Sequence, residues 1–231
     1  GAGRDESGST VWSATGAVID IATAGDVSLG GLGVDETGAD VPRGGTLQAT
    51  GRVMMNVGGT VDSNQSSTIR ADATGGGALT YFTPGRIDVT ATHADLGGLI
   101  EAMNENAAVD VQTSGLLIVD GLIRGDSRVE LDGGTHASGT GLLLQPLVLD
   151  GDDQRVSGGV VTTAPGNAIH VTAADNVVIS GVLGDLEDDG SGELRPHAAT
   201  VTAESTTAAV VVPGAVEARD AVSLIGRDVQ V

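Results

Sequence analysis

Five carboxylates fall within nine residues at Asp185, Glu187, Asp188, Asp189 and Glu193. Hard oxygen ligands at the alternating positions Asp185, Glu187 and Asp189, followed by Gly190, have the spacing that opens an EF-hand loop and the chemistry that holds calcium. The twelfth position is Pro196 rather than Glu, and no helix signal flanks the segment, so it is not an EF-hand. The expectation is an acidic loop in which Asp185, Glu187, Asp189 and Glu193 are the calcium ligands, set against the simpler reading of a solvated turn. Gly30–Asp35 matches the first six positions of the calcium-binding nonapeptide G-G-x-G-x-D-x-U-x, but it occurs once and Thr37 stands where an apolar residue belongs. Arg124, Gly125 and Asp126 form the tripeptide read by integrin-type receptors, a short motif with a high rate of chance occurrence. No catalytic set stands out. His93, His136, His170 and His197 are scattered, there is no cysteine, and neither H-E-x-x-H nor G-x-S-x-G occurs. The chain is therefore read as not an enzyme, with no cofactor beyond possible calcium.

The element that positions these residues is a recurring unit of strand and glycine. Ile19-Asp20-Ile21 leads to Gly31-Leu32, Ile87-Asp88-Val89 to Gly98-Leu99, Val109-Asp110-Val111 to Gly121-Leu122, and Ile169-His170-Val171 to Gly181-Val182. The apolar positions alternate with period two and are rich in β-branched residues, which is a strand signature. Starts at Ile87, Val109 and Val129 are 22 and 20 residues apart, and Ile169 follows after 40, with a degenerate copy expected around Leu149. A period of roughly 20 residues with this character is one coil of a β-solenoid. Asp20, Asp88 and Asp110 then share one outward position, and His170 occupies it in a later coil.

Composition agrees. The 231 residues include 37 Gly but only one Trp, one Tyr and one Phe, so the core must be narrow and built from Val, Leu, Ile and Ala. Eleven cations, all Arg, face 31 carboxylates, giving a net charge of −20. Such a surface repels nucleic acid and anionic membranes, and no apolar run is long enough for a transmembrane helix. The predicted architecture is all-β, a parallel β-helix of about 20–22 residues per coil. Residues 1–10 read as a frayed terminus or a connection from a preceding coil. Residues 11–231 read as a single solenoid with loop insertions near 33–45 and 185–196 and a smaller acidic turn at Asp150–Gln154. About 10 coils would stack into a rod on the order of 50 Å long. Leu96–Asn106, the one segment with helix-like composition, reads as strand and turn because it aligns with strand copies.

The phrases Ala17–Leu29 and Gly115–Asp126 resemble the repeats of filamentous-haemagglutinin-like and other giant bacterial β-helical exoproteins. The resemblance implies a right-handed parallel β-helix that is secreted or attached to the cell surface and acts in adhesion or as an extracellular fibre. The expected function is thus a structural or adhesive segment of a larger surface or matrix protein, a stiff spacer or fibre subunit. Its expected partners are other copies or neighbouring segments end to end, and cell-surface glycans or proteins. The alternative is a β-helix lyase or glycoside hydrolase acting on polysaccharide, disfavoured by the lack of aromatic platforms.

Overall fold

The structure, a computed structural model, describes residues 2–5, 8–12, 18–34, 40–72, 84–104, 106–150, 155–184, 186–188, 194–196 and 198–231. Among them no helix forms. The chain winds through three sheets in turn. The first sheet begins with Val18–Thr23, the second with Val27–Leu29, and the third continues the coil with Thr46–Ala49. Each later coil repeats that order, and each strand pairs in parallel with its equivalent one coil on. This is a parallel β-helix. The segment Leu96–Asn106 contributes the end of one strand and all of the strand Leu99–Met103, as its alignment with other copies implies.

The first sheet holds eight strands, starting at Val18, Arg52, Arg86, Ala108, Arg128, Ala168, Thr200 and Ala221. The shortest coils, from Arg86 to Ala108 to Arg128 and from Thr200 to Ala221, take 22, 20 and 21 residues. The others are lengthened at their corners. Eight strands at about 4.8 Å give a rod of roughly 34 Å, shorter than uniform coils would make it. The hairpin Gly31–Val34 with Asp40–Arg43 and the hairpin Val148–Leu149 with Arg155–Ser157 both leave the corner between the second and third sheets. A third hairpin, Leu186–Asp188 with Leu194–Pro196, leaves the corner between the third and first sheets. The residues around Leu149 are therefore not a degenerate coil. They are an insertion that stretches one coil to 40 residues. At the N-terminal end, Ala2–Asp5 and Gly8–Trp12 form an antiparallel pair, and Gly8–Trp12 joins the third sheet beside Thr46–Ala49.

Inward residues stack in rows. Ile69, Ile100, Ile123 and Val161 lie one above another in the third sheet and are fully buried. Glycine recurs where the second sheet turns into the third. A Cβ on Gly98, which has φ +72°, would lie 2.2 Å from the Ser67 carbonyl oxygen, and one on Gly121 would lie 2.5 Å from the Gly98 carbonyl oxygen. Coils press backbone on backbone at this corner, so no side chain fits. The register identifies Gly45, not Gly31, as the equivalent residue in the first coil, because the inserted hairpin displaces it. Gly31 stands in open space. Gly121→Ala should therefore lower the unfolding free energy by about 1–3 kcal/mol, while Gly31→Ala should change it by less than about 0.5 kcal/mol. Urea titration of both variants checks the contrast, and equal effects would refute the corner assignment.

Candidate functional site

The outer face of the first sheet gathers the densest polar chemistry. Side chains alternate across a strand, so residues two apart share a face and the parallel register stacks each of them on its equivalent. One outward row reads Val18, Arg52, Arg86, Ala108, Arg128. The next reads Asp20, Met54, Asp88, Asp110, Glu130, His170. A third includes Thr90, Gln112, Asp132 and Thr172. The expected acidic row is thus real for Asp88 and Asp110, while Met54 separates Asp20 from them. His170 lies outward in the same row and is exposed.

Two rows of opposite sign interleave into a ladder along the rod. Arg52 Nε donates to Asp88 Oδ2 at 2.6 Å, and Arg86 Nε donates to Asp88 Oδ1 at 2.7 Å. A terminal nitrogen of Arg86 reaches Asp110 Oδ2 at 2.6 Å. Arg128 donates to both Asp110 oxygens at 3.0 and 3.2 Å and pairs with Glu130 at 3.2 Å. The hydrogen bond to Asp88, outweighing partial burial, holds the Arg86 guanidinium above its ordinary pKa, with the charge of Asp88 and then the Asp110 contacts adding to it. Beside the ladder, Asp132 accepts from Thr172 Oγ1 at 2.9 Å and from Gln112 Nε2 at 3.4 Å. Arg86, Asp88, Asp110, Arg128, Glu130 and Asp132 line a shallow groove of about 330 Å³. The Arg members escape notice in the sequence because the repeat marks apolar and acidic positions, although Arg86-Ile87-Asp88 and Arg128-Val129-Glu130 carry the signal in full. Chemically the ladder neutralises itself: Asp88 and Asp110 are each clamped between two guanidiniums, which fixes them as acceptors.

A second carboxylate group lies on the outer face of the second sheet. Asp95 stacks on Asp62, and Asp120 follows the neighbouring strand. Partial burial first, then the charges of Asp62 and Asp120, raise the Asp95 pKa above the usual carboxylate range. Among the described residues no three His, Asp or Glu side chains are arranged to hold a metal ion. Of the expected calcium ligands, Asp185, Asp189 and Glu193 lie outside the described residues, and Glu187 lies on the hairpin strand opposite Arg195. Asp35, like residues 151–154 of the smaller acidic turn, lies outside them as well.

Arg124, Gly125 and Asp126 fall at the corner where the third sheet passes to the first. Arg124 Nε donates to Asp126 Oδ1 at 3.2 Å, Asp126 Oδ2 accepts the backbone N–H of Asn104 at 2.8 Å, and Gly125 is buried. The two charged ends of the tripeptide are bonded to each other. His93 and His136 come together edge to face, with ring centroids 5.5 Å apart, and His93 Nδ1 accepts the N–H of Leu116 at 3.0 Å, which places any proton of its neutral ring on Nε2.

Two outcomes follow from these charges. Arg86 joins Asp88 to Asp110 but is almost half exposed, with 45 % of its side chain accessible. Arg86→Gln should therefore cost at most about 1 kcal/mol, an effect that shrinks towards zero near 1 M salt. Chemical denaturation at two salt concentrations measures it, and a salt-independent loss would mean that packing rather than charge is at work. Asp95 has the opposite sign of linkage. Its folded-state pKa is raised, so its ionisation opposes folding above that pKa and the penalty lifts as pH falls through it. Asp95→Asn should raise the melting temperature at neutral pH, with the gain disappearing in acid. A gain that persists below pH 4 would contradict the assignment.

No protein-family model, no curated protein and no solved structure matches this chain.

Proposed function

We propose that this chain is a stiff spacer: a structural or adhesive β-solenoid segment of a bacterial surface or matrix protein, secreted or held at the cell surface, that presents loops to glycans or proteins. The observation carrying this reading is the placement of the three hairpins. Each is inserted at a coil corner while the inward aliphatic residues on either side of it, Leu29 and Leu47, Leu144 and Val161, and Leu183 and Val201, stay in the core. Such insertions leave a solenoid's stacking energy alone and vary freely in sequence, which is the arrangement that separates recognition from support. Two of them leave the same corner, four coils apart, or roughly 19 Å along the rod at 4.8 Å per coil. The self-neutralised ladder fits the same role, since it ties coil to coil along the outer face.

Calcium held by Asp185, Glu187, Asp189 and Glu193 belongs to this reading as the means by which acidic rods are bridged. A polysaccharide-active enzyme is the second reading, favoured by the groove of Arg and Asp side chains on the first sheet. Release of sugar from an acidic polysaccharide, abolished in Asp110→Asn, would establish it in place of the first.

The connection after Leu183 offers the test. Residues 184–199 lead to the next first-sheet strand, whereas one coil later the four residues 217–220 make the same connection. Replacing the long connection by the short one should leave the melting temperature within a few degrees and reduce adhesion of chain-coated beads to cultured cells. Unchanged adhesion after removal of each hairpin in turn would sink the display role. Melting in calcium and then in chelator should show higher stability with the ion, and equal temperatures would remove calcium from the account.

A further inference from the structure

The outer face of the second sheet changes character along the rod. Its central outward row reads Asp62, Asp95, Ile118, Leu143, Val178, Val211. Each of the four aliphatic members stands between two buried neighbours in the chain, so its side chain points out, and each is partly exposed. All four lie in coils with a further coil on either side. Strand propensity does not account for the aliphatic choice. In the same four coils the equivalent row of the first sheet holds Asp110, Glu130, His170 and Thr202. The second-sheet strands Leu117–Val119, Thr140–Leu144, Asn176–Ile179 and Ala209–Val211 contain no charged residue. Val148 and Leu149, on the hairpin that leaves the corner beyond Leu144, add two aliphatic side chains that are 48 % and 47 % exposed. An uncharged aliphatic row on a chain of net charge −20 is the kind of surface that a partner covers.

We infer that this row is the docking site for an amphipathic helix of a partner protein, aliphatic along one face and carrying Arg or Lys at the end that meets Asp62 and Asp95. Charge selects the basic end. The aliphatic row runs into three carboxylates, Asp62, Asp95 and Asp120, and among the described residues neither Asp62 nor Asp95 is paired with an Arg. The raised pKa of Asp95, which burial and then these like charges cause, shows that the group lacks a counter-charge. A cation brought against it relieves the repulsion. A second copy of the chain brings another −20 and the same carboxylates, so it does not fit.

Spacing selects the helix. Coils repeat every 4.8 Å or so, and a helix presents one side chain along a line for each turn of 5.4 Å, a mismatch of about 0.6 Å. An extended strand presents one every 6.7 Å or so, a mismatch of about 1.9 Å at each contact. Asp62 to Val211 is five coil spacings, about 24 Å, which roughly 16 residues of helix span. Aliphatic anchors once per turn then meet Ile118, Leu143, Val178 and Val211, which is the helix-on-apolar-surface mode of recognition.

The site is independent of the spacer role and of the hairpins, and it is tested on the whole chain. The probe is a synthetic Ala-based helix of about 16 residues, with Leu once per turn and two Arg in its first turn. One twin carries Glu in place of Arg, and another keeps Arg but has Ser in place of Leu. In fluorescence anisotropy the Leu/Arg probe should bind, and each twin should bind at least about tenfold more weakly. Val178→Thr, which keeps the branched strand shape, and Asp95→Asn should each weaken the Leu/Arg probe by about fivefold or more. His170→Ser, on the first sheet, should leave its affinity unchanged, and all three variants should keep the parent circular dichroism. No binding of the Leu/Arg probe at about 1 mM would overturn the proposal. Equal binding of the Ser/Arg twin would overturn it too, since the acidic surface as a whole would then be attracting the peptide. Unchanged affinity in Val178→Thr or Asp95→Asn would do the same. Self-association of the chain that Val178→Thr abolishes, seen by light scattering, would give the row to a second copy instead.

Discussion

The parallel register between coils governs both faces of every sheet in this protein. Once Ile87 pairs with Val109 and Val109 with Val129, every residue of a coil lies above its equivalent in the coil before. Inside, that condition is easy to meet, because aliphatic side chains stack on their own kind and dispersion favours it. It also explains the scarcity of aromatic residues. A ring in one coil would need room in both neighbours, whereas Val, Ile and Leu repeat without adjustment.

Outside, the same register is a hazard, since a charge that recurs in the sequence recurs every 4.8 Å in space. The first sheet answers it by pairing rows. Arg86 and Arg128 stand two residues before Asp88 and Glu130, so each guanidinium lies beside a carboxylate of its own coil and diagonally across from Asp110 one coil away, while Arg52, two residues before Met54, reaches across to Asp88. Ala108 interrupts the Arg row, and Asp110 is served from both sides by Arg86 and Arg128. The second sheet offers no Arg row to Asp62 and Asp95, and there partial burial first, and then the charges of Asp62 and Asp120, raise the pKa of Asp95. Two outer faces built under one rule thus differ in how their carboxylates are matched.

Much of this architecture is legible in the sequence because a solenoid writes its geometry as a period. The alternation in Arg86–Ala91 and Ala108–Thr113 gives strand, face and register together, and the short spacing gives the coil. Legibility fails where an insertion shares the composition of a coil. Val148-Leu149 looks like a worn strand copy and is one arm of a hairpin. Gly31-Leu32 imitates the corner motif, yet the corner glycine is Gly45, whose identity depends on pairing with the strand at Thr68 rather than on local pattern. The ladder was half visible for a related reason. The acidic member falls between two strong apolar residues, whereas its Arg stands at the strand entrance, where no period draws attention to it.

The register also accounts for how the rod ends. A coil is held by its neighbours on both sides, so a terminal coil has its aliphatic row open unless something covers it. At the head, the strand Gly8–Trp12 extends the third sheet by one more level, and the inward residues of the first coil are sheltered. In the last described coil Val222 and Val229 carry the aliphatic type of the coils before it, in register on the buried Val201 and Val210, so one rule of stacking writes the inward face of every coil.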